Sequence, residues 1–121
     1  MATPTPAELD ILQVLWACGE AKVQEVNDKL SENKPVGYTT TLKTMQIMEQ
    51  KGLLGRKKDG KSHIYFPQIA QADTQSSMLD KLLQSAFGGS KSQLVMQLLG
   101  NKKVSKKELD EIKTFLDNLE K

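Results

Sequence analysis

The sequence predicts a mostly α-helical chain with one small β-hairpin, and three observations support that fold class. Apolar residues recur at helical spacing in three N-terminal segments. Two short segments of strand character, 53–58 and 63–67, then flank Asp59-Gly60, a pair typical of hairpin turns. After Pro67 only helical patterns follow. The order helix, helix, helix, hairpin is that of a winged helix-turn-helix.

The first helix has defined start and stop signals. Thr5 can cap it, Pro6 suits the first helical position, and Glu8 supplies the other half of a capping box. One apolar stripe follows, formed by Leu9, Leu12, Leu15 and Trp16. Gly19 ends the helix. The neighbouring Cys18 is expected to be a small buried hydrophobic residue, and Trp16 is expected in the core.

A second helix is expected from about Lys22 to Leu30, and a turn-rich break covers 31–37. The third helix is expected to begin near Thr39 and to stop at Gly52. One of its faces is formed by Thr41, Met45 and Met48, and the other by Thr39, Thr40, Lys43, Gln46 and Ile47. We expect the first face to pack against the core and the second to be exposed.

Three further helices are expected after Pro67, from about 72 to 87, from about 91 to 99, and after a second capping box formed by Ser105 and Glu108. These apolar helices are too many to serve only as a cover for the winged domain. We therefore expect them to form a subunit interface. The interface residues are expected to be Leu79, Leu82, Leu83, Phe87, Leu94, Val95, Leu98, Leu99, Leu109, Ile112 and Leu116. The predicted domains are a winged-helix domain over 1–69 and a helical dimerisation domain over 70–121.

Positive charge is concentrated in one part of the chain. The formal net charge of the whole chain is only +2. Between Lys34 and Phe66, however, 7 basic residues face 2 acidic ones, which gives +5. This local excess indicates a partner of negative charge.

Several functional classes are excluded by composition and motif. The single cysteine rules out an intramolecular disulfide and a cysteine-cluster metal site. No segment has the length and apolarity of a membrane span or a signal peptide, so a cytoplasmic protein without membrane insertion is expected. There is no nucleophile with a base, no carboxylate pair and no phosphate-binding glycine loop, so neither an enzyme nor a cofactor or metal site is expected.

The third helix and the hairpin together favour binding to double-stranded DNA. The major groove accepts one α-helix, and hydroxyl and amide side chains near its N-terminus can contact phosphates or base edges. The expected contacts from the helix are Thr39, Thr40, Lys43, Gln46 and Ile47. In the hairpin, cations would neutralise phosphates and make binding depend on salt. The expected contacts from the hairpin are Arg56, Lys57, Lys58, Lys61 and His63.

Other interpretations of the same residues remain open at this point. Thr39 could simply cap the helix, and the charged hairpin could be a solvated loop. The winged domain could also be a protein-interaction module that binds an acidic partner. The hydroxyl-rich helix face argues against that alternative, because protein interfaces favour aromatic residues and arginine.

The order of motifs along nearly the whole chain resembles a family of bacterial winged-helix repressors. That family includes the penicillinase repressor, the methicillin-resistance repressor and the copper-responsive repressors. The N-terminal motifs are Thr5-Pro6-Ala7-Glu8, Ile11 to Trp16, Tyr38-Thr39-Thr40 with Met45 and Met48, Lys51-Gly52-Leu53-Leu54, and Asp59-Gly60-Lys61 before Tyr65. The C-terminal motifs are Phe87-Gly88-Gly89-Ser90, Leu94-Val95 and the helix from Ser105 to Leu116.

The resemblance implies a homodimer, held by the C-terminal helices, that binds a dyad-symmetric operator and blocks transcription. It also implies that proteolysis in the dimerisation region, downstream of a membrane-bound sensor protease, relieves repression in the beta-lactam-responsive members.

Two departures from the family pattern bear on the signal. The copper-responsive branch carries a C-terminal pair of Cys-x-Cys motifs, whereas this chain has only Cys18. The beta-lactam branch is cut at an Asn-Phe bond just after a Leu-Val pair, where this chain reads Met96-Gln97-Leu98. Gln97 and Leu98 therefore flank the expected cleavage position, and whether cleavage applies stays open.

Overall fold

The computed structural model describes residues 3–101 and 104–119. The helices are α1 (Pro6–Cys18), α2 (Val23–Leu30), α3 (Tyr38–Gln50), α4 (Gln71–Phe87), α5 (Lys91–Asn101) and α6 (Lys106–Leu119), and the strands are β1 (Leu54–Asp59) and β2 (Ser62–Pro67). Their order confirms the predicted sequence of three helices, a hairpin and further helices. The chain separates into two compact units, Met1–Met78 and Leu79–Lys121, called here the head unit and the tail unit. The division falls within α4.

The start of α1 is fixed by the predicted capping box. The backbone N–H of Glu8 donates to Thr5 Oγ1 at 3.2 Å, and the backbone N–H of Thr5 donates to Glu8 Oε1 at 2.9 Å. Gly19 ends the helix with φ of +90°, a conformation that favours glycine. The predicted stripe needs a correction, because Ile11 is buried with Leu12 and Leu15. Leu9 and Trp16 lie at the edge of the core.

The core of the head unit is closed by three helices and the hairpin. The predicted inner face of α3 is confirmed, since Thr41, Met45 and Met48 are all at most 1% exposed. Met45 and Met48 belong to an apolar cluster whose other members are Ile11, Leu12, Leu15, Ala21, Val23, Val26, Leu53, Leu54 and Tyr65. Inside this layer Thr41 Oγ1 donates to Asn27 Oδ1 at 2.7 Å. This hydrogen bond satisfies two buried polar groups and aligns α3 with α2.

The hairpin has a two-residue turn formed by Gly60 and Lys61, since Asp59 pairs with Ser62. Gly60 has φ of +64°, which the first turn position of a two-residue hairpin requires. The strands also gain a short third partner that the sequence did not predict. Ala21 and Tyr65 exchange two backbone hydrogen bonds of 3.0 and 2.8 Å. The connection between α1 and α2 is thereby held against β2.

Cys18 is exposed, so its predicted burial is wrong. It is the last residue of α1, and its side chain points out of the apolar stripe, with Sγ 3.5 Å from the carbonyl oxygen of Glu20. Trp16 is partly buried rather than fully enclosed, and it packs against the edge of the core. Its indole Nε1 donates to the carbonyl oxygen of Ile69 at 3.0 Å.

In the tail unit, the apolar side chains are only partly covered. Leu83 is buried at 7% exposure, whereas Leu79, Leu98 and Leu116 are each more than half exposed. The predicted capping box of α6 is incomplete. Ser105 Oγ accepts from the backbone N–H of Glu108, but its hydroxyl, and not its backbone N–H, contacts the Glu108 carboxylate. Within residues 3–101 and 104–119, no helix is long and apolar enough to cross a bilayer.

An ion pair between the partly exposed Lys51 and the buried Glu8 joins the end of α3 to the start of α1. Lys51 Nζ lies 2.8 Å from Glu8 Oε2, and the Glu8 side chain is 4% exposed. Burial by itself raises the pKa of Glu8, but the hydrogen bonds from Lys51 and Thr5 and the charge of Lys51 bring it below its ordinary value. Glu8 therefore links the start of α1 to the end of α3.

Replacing Glu8 with glutamine should lower the free energy of unfolding by roughly 1–3 kcal/mol, because Lys51 loses its charged partner. Since the folded-state pKa of Glu8 is depressed, its contribution is present above the unfolded pKa of about 4.3 and is lost as the pH falls through the folded-state value. Urea titrations at pH 7 and at acidic pH measure both effects. Glu32→Gln, which breaks an exposed ion pair with Lys29, is the matched control. Equal destabilisation by the two variants would contradict this role for Glu8.

Candidate nucleic-acid interface

The N-terminus of α3 is open. Gly37 is the N-cap, no side chain caps the helix, and no acidic residue lies in its first turn. Thr39 is therefore not the cap, which removes the simplest alternative for that residue. The free backbone N–H groups and the partial positive charge of this helix end suit a phosphate.

The outer face of α3 is polar and exposed. At about 3.6 residues per turn, Thr39, Lys43 and Gln46 lie half a turn away from the buried Thr41, Met45 and Met48. Thr40 and Ile47 lie on one flank of that outer face, and Ile47 is 41% exposed. The structure thus brings together on one surface all five residues predicted on this helix.

The hairpin presents two chemically different faces. Residues directly opposite in the register share a face, and neighbours along a strand alternate. Arg56 is opposite the buried Tyr65, and Lys58 is opposite His63, so these four residues share one face. Lys57 and Asp59 belong to the other face. The predicted cations of the hairpin are therefore not equivalent.

An open groove of about 320 Å³ separates α3 from the hairpin. Its walls include Tyr38, Leu42 and Gln46 on α3 and Arg56, Lys61 and His63 on the hairpin. The groove therefore joins the outer face of α3 to four of the ten predicted contact residues, and three of those four can carry positive charge. Such a surface suits a polymer with a negatively charged backbone.

Three ion pairs surround the hairpin, and none of them was predicted from the sequence. Arg56 Nε lies 3.0 Å from Glu49 Oε1, and Lys57 Nζ lies 3.0 Å from Glu20 Oε1. Lys22 Nζ lies 3.4 Å from Asp59 Oδ2. Glu20 and Lys22 could not be paired with the hairpin from sequence, because the backbone bridge at Ala21 that brings them there leaves no periodic signal.

The remaining cations of this surface have no such partner. In the part of the chain that the structure describes, Lys43, Lys58 and Lys61 form no ion pair. All three side chains are exposed. Available positive charge is therefore concentrated on the outer face of α3 and at the tip of the hairpin.

The sequence profile of the family described as Penicillinase repressor matches residues 4–118. The chain belongs to the penicillinase repressor family. The penicillinase repressor of Bacillus licheniformis is 28% identical over 111 residues, which cover 92% of this chain and 87% of that protein. The penicillinase repressor of Staphylococcus aureus is 22% identical over 115 residues, which cover 95% of this chain and 91% of that protein.

A solved structure of a family member shows the same head fold. The solution structure of the DNA-binding domain of the repressor BlaI is 27% identical, with a TM-score of 0.53, and the match covers 60% of this chain and 90% of that domain. Membership in the penicillinase repressor family identifies the chain as a DNA-binding transcriptional repressor and confirms that it is not an enzyme.

Proposed function

We propose that this repressor binds a dyad-symmetric DNA operator as a homodimer, with α3 in the major groove and the hairpin, or wing, on the adjacent backbone. The observation that carries the proposal is the open, polar outer face of α3 beside the unpaired lysines of the wing. Each subunit then reads one half-site. Dimer symmetry places the half-sites roughly one helical turn, or a multiple of it, apart.

The residues of α3 have distinct roles in this arrangement. Lys43 and Gln46, at the centre of the outer face, reach base edges, and Ile47 offers an apolar contact to a thymine methyl group. Thr39 and Thr40 lie at the open N-terminus, where hydroxyl and backbone donors bind phosphate. The helix therefore supplies sequence preference at its centre and orientation at its start.

The wing supplies electrostatic affinity. Lys58, Lys61 and His63 lie on the face and turn that line or adjoin the groove, and Arg56 adds charge there when phosphate competes with Glu49. Lys57 lies on the opposite face and can bind phosphate only when it is released from Glu20. Each neutralised phosphate releases a counterion, so these contacts govern the salt dependence of binding. They carry no direct base information.

Replacing Lys43 or Gln46 with alanine should relax sequence preference, with a loss of roughly 1–3 kcal/mol of discrimination at the contacted base pair. Lys58→Ala should instead weaken binding to every duplex nearly equally and flatten the salt slope by about 0.9. Gel-shift titrations at two salt concentrations, with selected and scrambled duplexes, separate these effects. Lys29→Ala, an exposed cation on α2, is the matched control. Unchanged binding by all three interface variants would contradict the assignment.

Dimerisation is assigned to the tail unit because its apolar side chains remain exposed. Leu79 and Leu82 on α4, Leu98 on α5, and Leu116 on α6 are between 46% and 55% exposed. Each lies on a helix face with other apolar residues at spacings of three or four, which is the pattern of a helix that packs against a partner. The remaining residues of the proposed interface are Leu83, Phe87, Leu94, Val95, Leu99, Leu109 and Ile112.

Leu82→Glu and Leu116→Glu should each weaken the dimer at least about tenfold, because a charge is then buried at the interface. Affinity for a two-half-site duplex should fall by a further factor of about 100, since avidity is lost. Sedimentation velocity and gel shifts measure the two quantities. Gln93→Glu, on the polar side of α5, is the control. A wild-type chain that sediments as a monomer at micromolar concentration would contradict the proposal.

Relief of repression by cleavage between Gln97 and Leu98 is the regulatory part of the proposal. The bond lies within α5, and both flanking side chains are exposed. A helical bond must unwind before a protease can extend it, so the stability of α5 limits the rate of cleavage. The cut separates the first half of α5 from α6 and removes Leu98 from the interface.

Protein cut at an introduced protease site between Gln97 and Leu98 should protect only half-sites, and only at roughly 100-fold higher concentration than intact protein. Footprinting of the same duplex before and after cutting measures this change. The uncut protein with the same insertion controls for the inserted sequence. Full protection by cut protein at the original concentration would place the switch elsewhere.

A further inference from the structure

Four side chains of alternating charge form a cluster on one face of the wing. Glu20 pairs with Lys57 and Lys22 pairs with Asp59, at 3.0 and 3.4 Å. Glu20 and Lys22 are two residues apart, as are Lys57 and Asp59. The two pairs therefore form a small ladder, called here the wing charge cluster, whose formal charges sum to zero.

The backbone places the wing charge cluster. Ala21 exchanges two hydrogen bonds with Tyr65. The segment through Ala21 therefore pairs beside β2, as a third strand of one residue. Because side chains alternate along extended backbone, Glu20 and Lys22 both point to the face opposite that of Ala21. Lys57 and Asp59 are on that face in β1. The fold therefore places Glu20 on the same face as Lys57, within reach of an ion pair.

The two faces of the wing differ in available charge as a result. On the face of the wing charge cluster, each cation is matched by a carboxylate. On the other face, Arg56 is paired with Glu49, but Lys58 has no carboxylate partner among the described residues, and Lys61 in the turn has none either. Only one face and the turn therefore attract a phosphate backbone strongly.

We propose that Glu20 is a specificity-determining residue, which withholds Lys57 from DNA phosphates and so lowers affinity for non-operator duplex. The inference rests on the function proposed above. In the operator complex, base contacts by α3 fix the duplex against the face of Arg56 and Lys58. A non-specific duplex has no such register and shifts towards whichever face offers more cations. Release of Lys57 therefore strengthens non-specific binding more than operator binding.

The exposure of the Glu20–Lys57 pair suits this role. The side chains of Glu20 and Lys57 are 48% and 55% exposed, so the pair contributes little to stability and can be removed without unfolding the head unit. Non-specific affinity, by contrast, depends directly on the number of phosphates that a protein neutralises. A pair that is nearly neutral for folding is thus significant for DNA selection.

Glu20→Gln tests the proposal. The probes are a duplex selected from a random library for tight binding to the wild-type chain and a scrambled duplex of the same composition. Affinity for the scrambled duplex should rise roughly two- to fivefold, with a salt slope steeper by about 0.9, while affinity for the selected duplex changes less. Glu32→Gln makes the same change in charge and breaks a comparable exposed pair, with Lys29. It should leave the ratio of the two affinities unchanged.

A double-mutant cycle with Lys57→Gln separates release of Lys57 from a general change in charge. In the Lys57→Gln background, Glu20→Gln should have no effect on scrambled-duplex affinity or on the salt slope. An equal effect in both backgrounds, or an equal effect of Glu32→Gln, would overturn the proposal. If the wild-type chain selects no preferred duplex, the proposed function fails; if it selects one and Glu20→Gln matches wild type, only this inference fails.

Discussion

The anchoring of α3 on its inner face is the constraint on which the rest of the structure depends. Met45 and Met48 are fully buried, and Thr41 is tied to Asn27 by a 2.7 Å hydrogen bond. The end of the helix is held by Lys51, which pairs with the buried Glu8. Because these contacts hold α3 in place by its inner face, the polar outer face is not required to stabilise the helix. A helix anchored on one side and open on the other can enter a groove without disturbing the core.

Folding also reduces the positive charge that is available to DNA, because carboxylates pair with some of the basic residues. The segment 34–66 has a formal charge of +5, yet Lys51, Arg56 and Lys57 each have a carboxylate partner in the structure. Two of those partners, Glu8 and Glu20, lie outside the segment. The positive charge available to DNA is therefore smaller than the sequence suggests and is more sharply placed. That placement, rather than the net charge, distinguishes the two faces of the wing.

Local signals predicted much of the head unit, whereas long-range contacts escaped prediction. The capping box at Thr5 and Glu8 and the buried face of α3 follow from spacing alone, and both are confirmed. The Ala21 bridge was missed because one residue cannot show the alternation of a strand. The predicted burial of Cys18 was wrong, because that prediction relied on the apolar character of cysteine and not on its position on the helix. The ion pairs of Glu20 and Lys22 depend on that same bridge, so sequence periodicity could not reveal them.

Backbone amide chemical shifts during titration with a selected duplex show directly whether α3 and the wing bind DNA together. The largest changes are expected at Thr39, Lys43 and Gln46 on α3 and at Lys58 and Lys61 on the wing. Core residues such as Met48 should change little, because the inner face of α3 stays packed. Saturating shift changes confined to α1 or to the tail unit, with α3 and the wing unaffected, would contradict DNA binding by α3 and the wing.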